Sequence, residues 1–132
     1  ADAVHSLIEG QATNALAVGD ALLEGDAGGA IGLLDALIDA GEPALRIVAT
    51  LTGQIRGWLW VLLLEQQGER DVAVIAKAAG IGNPKRIYVM RKQLQGRSSQ
   101  RCLSWLARLL NVEAALKRGA QPGDAFRDGL LG

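Results

Sequence analysis

Gly41-Glu42-Pro43-Ala44-Leu45-Arg46 marks the point where one helix stops and the longest helix of the chain starts. Glycine readily takes the left-handed conformation that closes a helix, and proline fits the first turn of the next one. The residues that follow are mostly apolar as far as about Gln67 and contain Gln54-Ile55-Arg56. The sequence therefore predicts a long apolar helix that begins at Pro43.

The rest of the chain also has helical periodicity, because β-branched residues are sparse and no long run alternates apolar and polar side chains. Many of the 17 glycines stand where a helix should end, namely Gly10, Gly25, Gly41, Gly68, Gly80, Gly96 and Gly119. Between these marks we expect helices over 2–9, 12–24, 27–40, 43–67, 71–79, 84–94 and 98–117, followed by a terminal turn or two. The expected fold is an all-α, compact, single-domain bundle of about seven or eight helices.

Polar residues that favour helix N-termini support these boundaries. The expected caps are Asp26, Asp71, Asn83, Ser98 or Ser99, and Asp124. The periodicity also predicts which faces point inward. On 12–24 the inward residues should be Ala15, Leu16, Leu22 and Leu23, and on 98–117 they should be Leu103, Leu106, Leu110 and Leu116.

Composition limits the classes of function. The 132 residues are enough for one core, and 14 basic residues balance 14 acidic ones. Residues 1–70 carry three bases and ten acids, whereas 71–132 carry eleven bases and four acids. No signal peptide is visible, and the apolar run 58–64 is far shorter than a bilayer-spanning helix of about 20 residues. With a single cysteine, no disulfide can form within the chain, so we expect a cytoplasmic protein.

Catalytic constellations are missing from the sequence. His5 is the only histidine and has no partner at a metal-binding or general-base spacing. Cys102 has only Arg101 beside it, so burial as a small apolar residue is the better interpretation. Asp35 and Asp39 share a helix face that is best explained as solvated. The glycine-rich stretches lack the Gly-Lys-Ser/Thr end of a phosphate-binding loop. We expect no catalytic residue, metal or cofactor.

The basic segment 85–101 is the strongest candidate for nucleic-acid binding. Its proposed DNA contacts are Lys85, Arg86, Arg91, Lys92 and Arg97, with Tyr88 as a stacking surface. A charged face turned to water, or to the acidic half of a neighbouring molecule, explains the same pattern. DNA binding through this segment therefore stays the alternative function.

The end of the long helix is apolar on nearly every side. Trp58 and Trp60 point to different faces, because residues two apart on a helix are separated by about half a turn. Central burial explains most of this run, and an interface with another protein would explain the remainder, since tryptophan and arginine are favoured in interfaces. The candidate interface residues are Arg56, Trp58 and Trp60.

Several short motifs follow one another in a fixed order along the chain. They are the passages 18–26 and 31–34, Gly41-Glu42-Pro43, Gln54-Ile55-Arg56, Gly80-Ile81-Gly82-Asn83-Pro84, and the close at Leu116-Lys117-Arg118-Gly119. From about Ala12 onward, the chain thereby resembles the C-terminal (collar) domain of the bacterial DNA polymerase III delta subunit, a member of the clamp-loader family. Two positions depart from the family pattern: Glu113 replaces a more usual Asp, and Lys85 an aromatic residue.

The resemblance implies a clamp-loader collar-like fold over residues 11–132, with 1–10 as the end of a preceding domain or linker helix. It implies a non-catalytic assembly domain that packs with the collar domains of the other loader subunits, the ATP-hydrolysing subunits and delta-prime. That pentamer loads the sliding clamp during DNA replication, while polymerase activity belongs to the intact holoenzyme. We expect sliding-clamp binding from the N-terminal domains of delta, which these residues do not include.

Overall fold

The computed structural model describes residues 14–131, which form seven helices and no strand. The helices are α1 (Asn14–Leu23), α2 (Ala27–Asp39), α3 (Ala44–Gln66), α4 (Val72–Ala79), α5 (Arg86–Leu94), α6 (Ser99–Lys117) and α7 (Pro122–Gly129). This confirms the prediction of an all-α fold. The helix expected over 2–9, Gly10 and His5 lie outside the described residues.

The break between α2 and α3 follows the expected chemistry. Gly41 has φ +88°, and its amide donates to the Ile38 carbonyl at 3.0 Å. The Glu42 amide donates to the Leu37 carbonyl at 3.0 Å, which completes the closing turn of α2. Pro43 then accepts the first amide hydrogen bonds of α3. The glycine ends α2 and the proline starts α3, as the sequence predicts.

Two of the expected N-caps are confirmed, and two helices begin elsewhere than predicted. Asp26 accepts from the Gly29 amide at 2.9 Å, and Asp71 accepts from the Ala73 amide at 2.9 Å. α5 starts two residues later than predicted, at Arg86. The prediction that Asp124 caps α7 is wrong: Pro122 presets the first turn, so Asp124 lies inside that turn.

The described part of the chain divides into two compact units, and the first combines residues 14–52 with residues 108–131. Its described part contains α1, α2, α7 and the adjoining residues of α3 and α6. Buried side chains at the centre of this unit include Val18, Leu23, Leu34, Ile47, Leu51, Leu109, Val112, Phe126 and Leu130. Burying each large apolar side chain contributes roughly 1.5–3 kcal/mol, so apolar packing is the main source of its stability.

Within the first unit, α2 packs against α7. Phe126 fills this contact, and Arg127 Nη2 donates a 2.8 Å hydrogen bond to Asp35 Oδ2 at its edge. The last turn is also held by Arg108 Nη1, which donates to the Leu130 carbonyl at 3.2 Å. The terminal helix is therefore part of the core of this unit.

The second unit comprises residues 53–107. α4 packs against α5, and the rings of Trp58 and Trp105 meet edge to face with centroids 6.3 Å apart. Such aromatic pairs contribute about 0.5–1.5 kcal/mol beyond the area that they bury. The buried side chains of this unit are Ile55, Trp58, Val61, Leu62, Ile75, Ala76, Ile87, Met90, Leu94, Cys102 and Trp105.

The predicted inward faces of α1 and α6 need correction. On α1 Leu16 is exposed, and Val18 is buried instead. On α6 Leu103 and Leu110 are exposed, whereas Leu106 and Leu116 are partly buried. The buried stripe is Cys102, Trp105, Leu109 and Val112, of which the first three lie one position before the predicted Leu103, Leu106 and Leu110. Burial of the large indole ring of Trp105 accounts for the shift, because it removes more apolar area from water than a leucine does.

α3 is long and apolar enough, by length and composition alone, to cross a bilayer. The same property is found in core helices of soluble proteins, and 44% of the most apolar stretch of α3 is buried against other parts of this chain. No other helix among residues 14–131 meets that criterion. Burial of Ile47, Leu51, Ile55 and Trp58 along one side gives α3 the pattern of a core helix.

Candidate interaction surfaces

The outer face of α3 and the end of α4 form an open groove in the second unit. Gly53, Arg56 and Trp60 follow one another at helical spacing on α3, and Ala78, Ala79 and Gly80 line the opposite side. We call this the α3–α4 groove; its volume is about 340 Å³. α4 ends here because Gly80 takes a left-handed conformation with φ +73°. The groove therefore has one aromatic wall, one cation and otherwise very small side chains.

The two tryptophans predicted for the interface lie in different environments. Trp58 is 2% exposed and packs against Trp105, so its side chain belongs to the interior of the second unit. Trp60 is 42% exposed, and its indole N–H has no acceptor within residues 14–131. A half-exposed tryptophan with an unused donor offers both apolar area and a hydrogen bond to a partner. Trp60 is the better interface candidate of the two.

Arg56 completes the set of candidate interface residues. Its side chain lies on the solvent-exposed side of α3, four residues before Trp60 and therefore next to it on the helix surface. Among the described residues it forms neither an ion pair nor a side-chain hydrogen bond. No carboxylate from residues 14–131 lines the groove. Arg56 is thus available to a partner that brings its own negative charge.

The predicted DNA-contact residues separate into an exposed and a partly buried group. Arg91 Nε lies 2.6 Å from Glu65 Oε1, and its Nη2 donates to the Arg70 carbonyl at 3.2 Å. Arg97 is also partly buried. Both arginines therefore have roles in the packing of the second unit. The exposed members of the predicted set are Lys85, Arg86 and Lys92.

The exposed side of α5 combines positive charge with apolar surface. Tyr88 is 55% exposed and Val89 is 68% exposed, and both lie between Lys85 and Lys92 on the helix. Ile87, on the opposite side, is buried. α5 itself contains no acidic residue. We call Lys85, Arg86, Tyr88, Val89 and Lys92 the α5 basic face.

Two of the residues considered for catalysis, Cys102 and Asp35, are either buried or paired with another side chain. Cys102 is buried, and desolvation raises the pKa of its thiol, which disfavours the nucleophilic thiolate. Asp35 forms an ion pair with Arg127, so Asp35 and Asp39 are not an isolated pair of carboxylates. No group of three or more His, Cys, Asp or Glu side chains with metal-binding geometry occurs among residues 14–131.

Sequence reasoning did not find the small side chains that shape the α3–α4 groove. Gly53 could have been identified, because it shares the helical spacing of Arg56 and Trp60. Ala78, Ala79 and Gly80 carry no comparable signal, since their proximity to α3 depends on how α4 packs.

Comparison with known proteins identifies a family. The family model described as DNA polymerase III delta subunit, C-terminal domain, matches residues 12–126. No curated protein and no solved structure matches the chain. The family match covers most of the chain and includes all of the motifs that carried the resemblance. The chain belongs to the family formed by the C-terminal domain of the DNA polymerase III delta subunit.

Proposed function

We propose that this domain is a non-catalytic assembly module that holds the delta subunit in the clamp-loader pentamer. The observation that carries the proposal is the family match over residues 12–126. Its partners would be the collar domains of the ATP-hydrolysing subunits and of delta-prime, in the cytoplasm and without a cofactor. Binding to the sliding clamp would come from other domains of delta. Residues 11–132 would form the collar domain, and 1–10 the end of a preceding domain or linker helix.

The surface of the second unit supports an assembly role. Trp60, Val74 and Leu103 are large apolar residues that are more than two-fifths exposed within this unit. Contiguous apolar side chains at a surface are typical of places that a partner covers. Arg56, which has no ion-pair partner among residues 14–131, adds a cation beside Trp60. Tryptophan and arginine together are the side chains most often found at the energetic centre of an interface.

Light scattering coupled to size exclusion tests this proposal. The full-length protein is measured alone and then mixed with the other loader subunits of its organism. A larger, stoichiometric complex that forms only in the mixture is the expected result. A folded protein that shows no association at tens of micromolar would contradict the assembly role.

The α5 basic face favours a second candidate function, binding to nucleic acid. Lys85, Arg86 and Lys92 could neutralise phosphates while Tyr88 stacks on a base. Fluorescence anisotropy with single-stranded and duplex DNA over a salt series tests it. The binding constant should fall steeply as salt rises, because phosphate neutralisation releases counterions. Binding that is absent at low salt, or that does not change with salt, would end this candidate.

A further inference from the structure

We propose that the α3–α4 groove receives a segment of a neighbouring clamp-loader protein that carries an apolar side chain next to a carboxylate. This inference rests on the proposed assembly function and assigns that function a site. The groove is defined by Gly53, Arg56 and Trp60 on α3 and by Ala78, Ala79 and Gly80 at the end of α4.

The first observation concerns Gly53. It lies in the interior of a 23-residue helix, where glycine is the poorest helix former after proline. A Cβ added at Gly53 would meet no heavy atom within 4 Å, so packing within the described chain does not require a glycine there. Gly57, one turn later, differs because it is buried and its Cβ would meet Met90 Cε at 3.8 Å. The open position at Gly53 lets a partner approach the backbone of α3 closely.

The second observation is the shape of the opposite side. Ala78, Ala79 and Gly80 present nothing larger than a methyl group to the groove. Across from them, Trp60 supplies a large apolar wall that is 42% exposed. A space of about 340 Å³ with one aromatic wall and small surrounding residues fits an inserted aliphatic or aromatic side chain.

The third observation is the charge of the groove. Arg56 is the only charged residue among its lining residues, and within the described chain its guanidinium has no ion-pair partner. Arg91 shows the contrasting case in the same unit, because Glu65 neutralises it. A partner that supplies a carboxylate would pair with Arg56 and could accept a hydrogen bond from the Trp60 indole. We therefore assign the groove to an apolar segment flanked by Asp or Glu.

Replacing a glycine by leucine at two separate positions tests the site without destabilising the helices. Gly53→Leu fills the groove, and Gly32→Leu is its control, because Gly32 is also exposed inside a helix and its Cβ would meet no heavy atom within 4 Å. Both substitutions should leave the Tm unchanged or raise it, since leucine is a far better helix former. Only Gly53→Leu should weaken association of the full-length protein with the other loader subunits, by about tenfold or more in Kd.

Side-chain removal and charge reversal test the chemistry of the partner. Trp60→Ala should weaken the same association by about tenfold or more, whereas Leu110→Ala, which removes an exposed large apolar side chain outside the groove, should not. Arg56→Glu should weaken association strongly, and Arg56→Lys should weaken it less, because lysine keeps the charge but loses the two-pronged hydrogen bonding of the guanidinium. An unchanged Kd for Arg56→Glu would overturn the inference that the partner segment carries a carboxylate.

The outcomes separate this inference from the function on which it rests. If the wild-type protein fails to associate with the other subunits, both the assembly role and the groove assignment are wrong. If the wild type associates and Gly53→Leu and Trp60→Ala associate equally well, the groove assignment is wrong and the assembly role stands. If the variants lose only self-association, the groove binds a second copy of this chain, and the assignment to a neighbouring loader protein is overturned.

Discussion

Gly129 lies in direct contact with Val112, and this contact leaves no room for a larger residue. A Cβ at position 129 would stand 2.6 Å from Val112 Cγ2, and Val112 is fully buried with a β-branched, stiff side chain. Gly129→Ala should therefore lower the free energy of unfolding by about 1–3 kcal/mol. Urea denaturation measures this loss.

Two further variants show whether the contact is the cause. Gly123→Ala, in the same helix, is the control, because its Cβ would meet no heavy atom within 4 Å. Val112→Ala creates space, so the double variant with Gly129→Ala should lose less stability than the sum of the two single losses. Equal stability of Gly129→Ala and Gly123→Ala would show that Val112 gives way at little cost.

Phe126 and Arg127 allow packing and charge to be compared at adjacent positions of α7. Phe126 is 1% exposed, so Phe126→Ala should cost about 3–5 kcal/mol through lost burial and a cavity. The Arg127–Asp35 pair is about half exposed on both sides, so solvent screens it and Arg127→Ala should cost less than about 1 kcal/mol. Urea denaturation of both variants measures the two losses in free energy of unfolding. A larger loss for Arg127→Ala than for Phe126→Ala would contradict this prediction.

At the level of helices, the ends could be predicted from the sequence better than the faces. The ends depend on local chemistry, such as the carboxylate of Asp26 on the Gly29 amide or the left-handed glycine at Gly41. The inward face of α6 depends on which of two neighbouring apolar stripes packs better. Trp105 and Leu109 belong to one stripe, whereas the stripe predicted from the helical periodicity contains Leu106 and Leu110.

The corrected face of α6 gives a test at two adjacent leucines. Leu109 is 1% exposed and Leu110 is 68% exposed. Leu109→Ala should cost about 2–5 kcal/mol because it leaves a cavity, whereas Leu110→Ala should change the free energy of unfolding by less than about 0.5 kcal/mol. Chemical denaturation of the two variants decides which stripe is inside, and the reverse order would restore the stripe predicted from the sequence.

At the level of the whole molecule, charge segregates between the two compact units. The second unit, residues 53–107, carries nine bases and three acids, a net charge of +6. The first unit, residues 14–52 and 108–131, carries five bases and nine acids, a net charge of −4. The sequence revealed this asymmetry between its halves, but it could not show that Arg91 is neutralised by Glu65 while Lys85 and Lys92 stay exposed. Pairing of that kind depends on tertiary contacts.

The two candidate surfaces of the second unit should act independently. The variant Lys85→Ala/Lys92→Ala removes two exposed charges of the α5 basic face, neither of which lines the α3–α4 groove. If this face binds DNA, the double variant should weaken binding and reduce the slope of log K against log salt by about 1.4–1.8, since each phosphate contact contributes about 0.7–0.9. Its Kd for the other loader subunits should change by less than about twofold, because exposed charges at the edge of an interface contribute little affinity.

Trp60→Ala should do the opposite, leaving the DNA salt slope unchanged and weakening association with the loader subunits about tenfold or more. Lys117→Ala/Arg118→Ala is the matched control, because it removes two exposed cations from the first unit. Anisotropy with labelled DNA and size exclusion with the loader subunits are run on the same preparations. If the double lysine variant weakens both activities, DNA and the partner subunits share one surface, and the α3–α4 groove is not a separate site. If it changes neither activity, the α5 basic face is a solvated helix surface, and assembly is the function that remains.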